Sequence, residues 1–351
     1  MSRKIINIGG RLTGRGKPAF VIAEAGVNHN GRLDFAHALV DAAADAGADA
    51  VKFQTFNADD VVTVDAPKAE YQRAATGDGG SQHEMISALE LSAGDFAELS
   101  RHATERGIFF LSTPFDLASV DLLDSLGVHA FKVPSGEITN PELLLSVASK
   151  GKPVLMSTGM AELEEVHAAV EMLIRAGTKE LALFQCTSSY PTNPEDVNLR
   201  VMHTLECEFQ VPVGLSDHTE GIEISLAAVA LGASLIEKHL TLDRTLDGPD
   251  HAASMEPTQL TELIRGIRKV EAALGTGIKR PSSDEREVAK VARRSLVAAE
   301  SLPEGTKLAR EHLLFRRPGT GLPPTHLELV LGKTLTRKVD KGQLISLDLL
   351  D

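Results

Sequence analysis

Eight short apolar runs, separated by helical patterns, constrain this chain more than any other feature of it. Between Phe20 and about Leu274 they read AFVIAEAG, ADAVKFQT, GIFFLSTP, HAFKVPSG, PVLMSTGM, LALFQCTS, VPVGLSDH and ASLIEKHL. Their apolar cores are continuous rather than alternating, the pattern of parallel strands covered on both faces. The intervening segments are amphipathic. Asp34 to Ala46 carries Phe35, Ala38, Leu39, Ala42, Ala43 and Ala46 on one stripe, with Gly47 suited to the position after the helix. Leu163, Val166, Val170, Leu173 and Ile174 form a second stripe closed by Gly177. A third runs from Leu260 to Leu274 before Gly275. Eight strand–helix units in succession predict an α/β fold of the (β/α)8 TIM-barrel type. An open α/β sheet built from the same units is the alternative, but no GxGxxG follows the first strand, which counts against a dinucleotide-binding fold.

The 351 residues exceed the roughly 250 that such a barrel needs. After Gly275 the periodicity stops. The expected organisation is a barrel over 1–275, a polar linker over 276–290 and a small β-rich domain over 291–351 with dense Gly and Pro punctuation. Within the barrel, the connection from Phe56 to Glu90 is too long and too polar for a simple βα loop, and reads as a functional lid.

Lys and Arg total 36 against 49 Asp and Glu, a net charge of −13, which argues against nucleic acid or an anionic membrane as partner. Two cysteines without CxxC spacing, no apolar leader segment and no apolar run long enough to span a bilayer predict a cytoplasmic location.

In a parallel barrel all strand C-terminal ends open on one face, where chemistry occurs. Polar residues gather at every one of these ends. They are Glu24 with Asn28, His29 and Asn30; Lys52 and Gln54; Ser112 and Thr113; Lys132, Ser135 and Glu137; Ser157 and Thr158; Thr187, Ser188 and Tyr190; Ser216, Asp217 and His218; and Lys238 and His239. Lys52, Lys132 and Lys238 interrupt apolar runs, where an unpaired ammonium is costly, so each needs a fixed negative partner or a bound anion. Three of them among Thr113, Ser135, Ser157 and Ser216 suggest a phosphate or carboxylate cradle. His218 and His239, at the ends of successive runs with Glu24 opposite, suggest a divalent-metal site. Imidazole with carboxylate and water suits Mn2+ or a similar first-row ion, whereas Mg2+ favours oxygen.

The motifs IAEAGVNHNG, AVKFQT, STPFD, FKVPSGEITN, PVLMSTGM, SSYPT with EDVNLR, GLSDHTEGIE and LIEKHLTLDR with GPDHAASMEP resemble the sialic acid synthase family, from about Ile22 to Pro257. The C-terminal ARRSLVA and LLFRRPGTGLPP resemble that family's antifreeze-like (SAF) domain. The resemblance implies condensation of phosphoenolpyruvate with an N-acyl hexosamine, either N-acetylmannosamine or a 2,4-diacetamido-trideoxyhexose, to a nine-carbon 2-keto sugar acid and phosphate. It implies His218 and His239 as ligands of a divalent metal, usually Mn2+, with Mg2+ or Co2+ as alternatives. Lys52, Thr113, Lys132, Ser135, Ser157, Ser188, Ser216 and Lys238 match positions around phosphoenolpyruvate. Gln54, Glu137, Tyr190 and Asp250 match positions facing the sugar, and Glu24 matches a carboxylate beside the metal, with Glu24 or Glu137 orienting water or carrying a proton. Arg317, in FRRPGTG, matches an arginine that reaches the sugar across a domain-swapped homodimer. Ser188 departs from relatives that carry Asn there. Rival readings are a KDO8P- or DAHP-type synthase, whose phosphorylated acceptor calls for a further basic cluster, and a catalytically inactive carbohydrate-binding protein.

Overall fold

A hairpin of β1 (Ile5–Ile8) and β2 (Arg11–Gly14) precedes the eight apolar runs, and each run is a strand. These are β3 (Phe20–Gly26), β4 (Ala50–Thr55), β5 (Phe109–Pro114), β6 (Phe131–Val133), β7 (Val154–Ser157), β8 (Leu181–Cys186), β9 (Val213–Asp217) and β10 (Leu235–His239). The computed structural model describes residues 5–77 and 79–351; residues 1–4 of the basic N-terminus and Asp78 of the long connection lie outside them. The chain divides into two compact units, Met1–Gly275 and Thr276–Asp351.

In the first unit the eight strands form one sheet in the order β5-β4-β3-β10-β9-β8-β7-β6, with every ladder parallel. The pairing of β10 with β3 joins the last strand to the first, and β5 and β6 lie side by side at the remaining seam. This is a nearly closed (β/α)8 barrel, as the alternation of elements predicts.

Successive strand residues point to opposite faces, and the hydrophobic contacts sort them. Val21, Ala23, Val51, Phe53, Phe131, Val133, Val154, Met156, Leu183, Leu215 and Ile236 belong to the layer between strands and helices. Phe20, Ile22, Ala50, Leu111, Ala130, Leu155, Ala182, Phe184 and Leu235 fill the barrel interior together with Ile6 and Ile8 of the hairpin. Fully burying each Val, Leu, Ile, Met or Phe among them contributes about 1.5–3 kcal/mol.

The helices form where the stripes fall. Leu33–Ala46 buries Ala36, Leu39, Val40, Ala43 and Ala46. It stops at Gly47, whose left-handed φ of 85° lets its N–H reach the carbonyls of Ala43 and Ala44. Pro257–Leu274 starts with proline at its first position, where the missing N–H costs no hydrogen bond, and buries Leu260, Leu263, Ile264 and Ile267. The Phe56–Glu90 connection is not plain coil. It contains the short helices Ala58–Val61, Glu70–Thr76 and Gln82–Ser87, the last opened by a Ser81–Glu84 capping box.

The second unit has its own core. Helix Ser283–Ala292, over the segment expected to be mostly linker, precedes β11 (Ser295–Ala298) and β12 (Leu313–Arg316), which pair antiparallel. Leu296, Leu302, Leu308, Leu313, Val330, Leu335, Val339, Ile345 and Leu349 pack beneath them. Among the described residues, no helix is long and apolar enough to cross a membrane.

Candidate active site

The C-terminal ends of the strands surround a cavity of about 580 Å³. Its floor follows from the two-residue alternation of each strand. One step beyond Ile22 is Glu24; beyond Ala50, Lys52; beyond Leu111, Thr113; beyond Ala130, Lys132; beyond Leu155, Ser157; beyond Phe184, Cys186; and beyond Leu235, Glu237 and then His239. Interior positions that are apolar low in the barrel thus become polar at its top.

Two lysines and two carboxylates, all buried, form the centre of the floor. Lys52 Nζ lies 2.7 Å from Glu24 Oε2, donates to Thr113 Oγ1 at 2.7 Å and lies 3.8 Å from Glu237. Lys132 Nζ donates to Ser157 Oγ at 2.7 Å and lies 3.2 Å from Glu237 Oε1, which also accepts from Ser216 Oγ at 2.9 Å. Burial opposes charge on Glu237, yet Lys132 and Lys52 outweigh it and bring the carboxyl down to about 2. For Glu24 burial wins. With the charge of Glu237 adding to it against the pull of Lys52, the carboxyl rises to about 7. Two neighbouring carboxyls are thereby driven apart, one fixed as an anion and one able to exchange a proton near neutrality. Oε2 of each has no hydrogen-bond partner by geometry beyond its ion pair with Lys52.

His218 and His239 meet beside this floor, their ring centroids 5.4 Å apart. Tyr190 packs on both, at 4.2 Å from His218 and 5.8 Å from His239. His218 Nδ1 donates to the Thr187 carbonyl at 2.8 Å, which orients the ring. Burial, with the nearby charges of His218 and Lys52, holds His239 well below its usual value, so its ring is neutral. Its Nδ1 is buried without a partner. A neutral imidazole with an orphaned nitrogen beside a second, oriented imidazole fits a metal ligand pair. Among the described residues, no group of three or more His, Cys, Asp and Glu is spaced to hold a metal ion. The protein's donors here are therefore two imidazoles, and the remaining positions of any ion would fall to water and substrate oxygens, as in an open catalytic site.

On the β6–β8 side, Ser135 Oγ accepts from the Gly159 N–H at 2.9 Å. A Cβ at Gly159 would stand 2.5 Å from Ser188 Oγ and 2.8 Å from Ser135 Oγ, so the approach of these hydroxyls requires glycine. Asp250 also lines the cavity, and burial pushes its carboxyl up to about 6 against the pull of His218. Its loop is held down by Asn28, whose amide donates to Leu240 O and Ser254 Oγ, both at 2.9 Å, and by Asn30, which donates to Asp247 O at 2.8 Å. His251 belongs to the same buckle, bonded to Thr241 Oγ1 at 2.7 Å and Asn30 Oδ1 at 3.1 Å.

Of the residues singled out from the sequence, Glu24, Lys52, Gln54, Thr113, Lys132, Ser135, Ser157, Ser188, Tyr190, Ser216, His218, His239 and Asp250 line this one cavity. Three do not. Lys238 has the outward parity of Ile236. Buried between strand and helix, it lies 2.9 Å from Asp217 Oδ2 and donates to the Thr219 carbonyl, so the lysine expected around the anion is turned away from it. Glu137 sits outside the lining, its Oε2 accepting from Asn140 Nδ2 at 2.7 Å. Arg317 belongs to the second unit, where it is exposed and its Nε donates to Ala292 O at 2.9 Å. Glu237 and Cys186 were not anticipated. The available signal for Glu237 was its position two residues before His239 on one strand, which puts both on the same face.

Comparison with known proteins gives a consistent result. Residues 39–279 match the model of the NeuB family and residues 293–351 that of the SAF domain. The N,N'-diacetyllegionaminic acid synthase of Legionella pneumophila is 46% identical over 345 residues, covering 97% of this chain and 96% of its own. The human N-acetylneuraminate-9-phosphate synthase is 38% identical, covering 97% and 95%. Among solved structures, the N-acetylneuraminic acid synthetase of Leptospira borgpetersenii aligns with a TM-score of 0.72 at 37% identity, over 82% of this chain and 95% of its own.

Proposed function

The chain belongs to the NeuB family and carries a SAF domain, and from that premise we propose that its barrel cavity condenses phosphoenolpyruvate with the open-chain form of an N-acyl hexosamine. The products are a nine-carbon 2-keto sugar acid and inorganic phosphate. The observation that carries this reading is the convergence of buried Lys52 and Lys132 with His218 and His239 in one cavity.

In the reaction, C3 of phosphoenolpyruvate attacks the sugar aldehyde and leaves electron deficiency at C2. Water adds at C2 and gives up a proton, the former aldehyde oxygen takes one up to become a hydroxyl, and the tetrahedral intermediate expels phosphate by C–O cleavage. Lys52 with Thr113, and Lys132 with Ser157, offer fixed cationic and hydroxyl donors for the carboxylate and phosphate. Ser135 and Ser188, gathered around Gly159, supply further hydroxyls. Glu24, raised to about 7, suits the proton transfers at water and aldehyde better than Glu137, which is outside the cavity lining. Asp250, Gln54 and Tyr190 border the space left for the sugar. His218 and His239 would hold a divalent ion, Mn2+ by ligand type, which when bound acts as a Lewis acid on a carbonyl oxygen. In this reading 1–275 is the catalytic domain, 276–290 the connection and 291–351 the SAF domain. The role on the sugar that the resemblance gives Arg317, across a homodimer, belongs to the same proposal. Two free cysteines suit a reducing cytoplasm.

The test is phosphate release from phosphoenolpyruvate carrying 18O at the bridging oxygen. Release should require an N-acyl hexosamine, stop on chelation of divalent ions, return with Mn2+, and place the label in phosphate. Label retained in the keto acid, or turnover indifferent to chelator, contradicts the mechanism.

A further inference from the structure

Behind the two histidines, on the outer face of the strands, stands an ion pair that the condensation does not use. Asp217 and Lys238 are partners across the β9–β10 ladder, and the residue that follows each of them is one of the pair His218 and His239. Both side chains are almost completely buried, with Lys238 Nζ 2.9 Å from Asp217 Oδ2. The same carboxylate oxygen accepts from Ser225 Oγ at 2.5 Å, on the helix Glu223–Ala230 packed against β9.

The remaining contacts of the pair converge on Thr219, the residue beyond His218. Asp217 Oδ1 accepts from the Thr219 N–H at 2.9 Å and from its hydroxyl at 2.7 Å, while Lys238 Nζ donates to the Thr219 carbonyl. The His218 carbonyl accepts from Thr192 N at 2.8 Å. The peptide leaving His218 is thus held at both its carbonyl and its N–H, and the second tie runs through Asp217 and Lys238 to the strand that carries His239. There the His239 carbonyl accepts from Met255 N at 2.8 Å.

A buried ion pair adds little net stability, because desolvation of both charges offsets their attraction. What it fixes is geometry, since directional, charge-assisted hydrogen bonds hold the two strand ends in one relative position. An ion with only two protein donors depends on such fixing, because any freedom left to either imidazole must be lost when the ion binds. We propose that Asp217, Lys238 and Ser225 are positioning residues that set the separation of His218 and His239, and through it the affinity for the divalent ion. The proposal rests on the metal pair described above and adds the clamp that holds it in register.

The test is Mn2+ binding to the substrate-free protein, read from the electron paramagnetic resonance signal of unbound Mn2+. Asp217→Asn and Lys238→Met should each weaken binding by about tenfold or more, the range for groups that orient metal ligands. Ser225→Ala and Thr219→Val, which remove one hydroxyl each, should weaken it by about threefold. Turnover of all four should recover as Mn2+ is raised to saturation, with the KM for phosphoenolpyruvate unchanged. Ile8→Ala, at the opposite end of the barrel interior, controls for lost stability and should bind Mn2+ as the wild type does. Wild-type affinity in Asp217→Asn and Lys238→Met, or an equal loss in Ile8→Ala, overturns the clamp and leaves the metal pair standing. If those two charge-removing variants do not fold, Ser225→Ala and Thr219→Val decide alone, and wild-type affinity in both overturns the clamp. Wild-type affinity in His239→Ala overturns the metal pair itself, and the clamp with it.

Discussion

The two ends of the barrel interior are built from the same strands, yet they carry opposite chemistry. At the lower end Ile22, Ala50, Leu111, Ala130, Leu155 and Leu235 pack against Ile6 and Ile8 of the N-terminal hairpin. Two residues further along those strands stand Glu24, Lys52, Thr113, Lys132, Ser157 and Glu237. The lower end is an apolar plug whose contribution is hydrophobic burial. The upper end is a buried charge network, which costs desolvation and is weak evidence for stability on its own. Burial of apolar surface accounts for the plug, whereas the desolvation cost of the charged floor calls for a reason other than stability.

That contrast can be broken at four points, ordered by expected effect on turnover. Lys132→Met removes a cation from the floor and leaves Glu237 with Lys52, at 3.8 Å, as its lysine partner. The expected loss in kcat/KM for phosphoenolpyruvate is on the order of 10²–10³, measured by steady-state phosphate release. A loss under tenfold would mean the floor is not an electrostatic device.

Next comes pH. Because the Glu24 carboxyl is raised from 4.5 to about 7, the folded protein holds this proton where the unfolded chain has released it, and the base form appears only as pH climbs through about 7. The kcat/KM for phosphoenolpyruvate should therefore fall about tenfold per unit below that point and level off above it. Glu24→Gln should abolish the limb. Glu237, lowered to about 2, has the opposite sign: its stabilising contribution is complete above about 4.5 and is lost as pH falls towards 2, so it adds no limb near neutrality.

The last two changes should leave turnover unchanged when Mn2+ is saturating. Ile8→Ala at the apolar end should lower unfolding free energy by about 2–5 kcal/mol in denaturant titration, with kcat/KM of the folded enzyme unchanged. Lys238→Met breaks the buried pair with Asp217 and should lower the melting temperature, while the KM for phosphoenolpyruvate stays as in the wild type. A raised KM would return Lys238 to the anion site that its orientation denies it.

Much of this fold was legible because parallel barrel strands, buried on both faces, stand out as continuous apolar runs, and because glycines such as Gly47 mark helix ends. The polar ends of the runs likewise located the cavity. Facing was harder. In LIEKH, a glutamate and a lysine are adjacent in an equally apolar context, and composition cannot say which points inward. The ladder decides it, since Glu237 pairs with Ser216 and shares its face, while Lys238 pairs with Asp217 on the other. The Phe56–Glu90 connection was equally opaque. Its polar sequence suggested a loop, whereas the structure folds it into three short helices that turn Val61, Met85 and Ile86 towards the cavity.

The sequence by itself determined the eight strand–helix units, the small C-terminal domain and the set of polar groups at the strand ends, because hydrophobic period and turn residues are local properties. Tertiary structure alone decided that Glu237 rather than Lys238 joins the floor, that Glu137 stays out of the lining, that two neighbouring carboxyls are driven apart in pKa, and that the long connection turns Val61, Met85 and Ile86 towards the cavity. Those outcomes depend on strand register and on which charges burial brings within a few ångströms, and neither quantity is carried by any single stretch of chain.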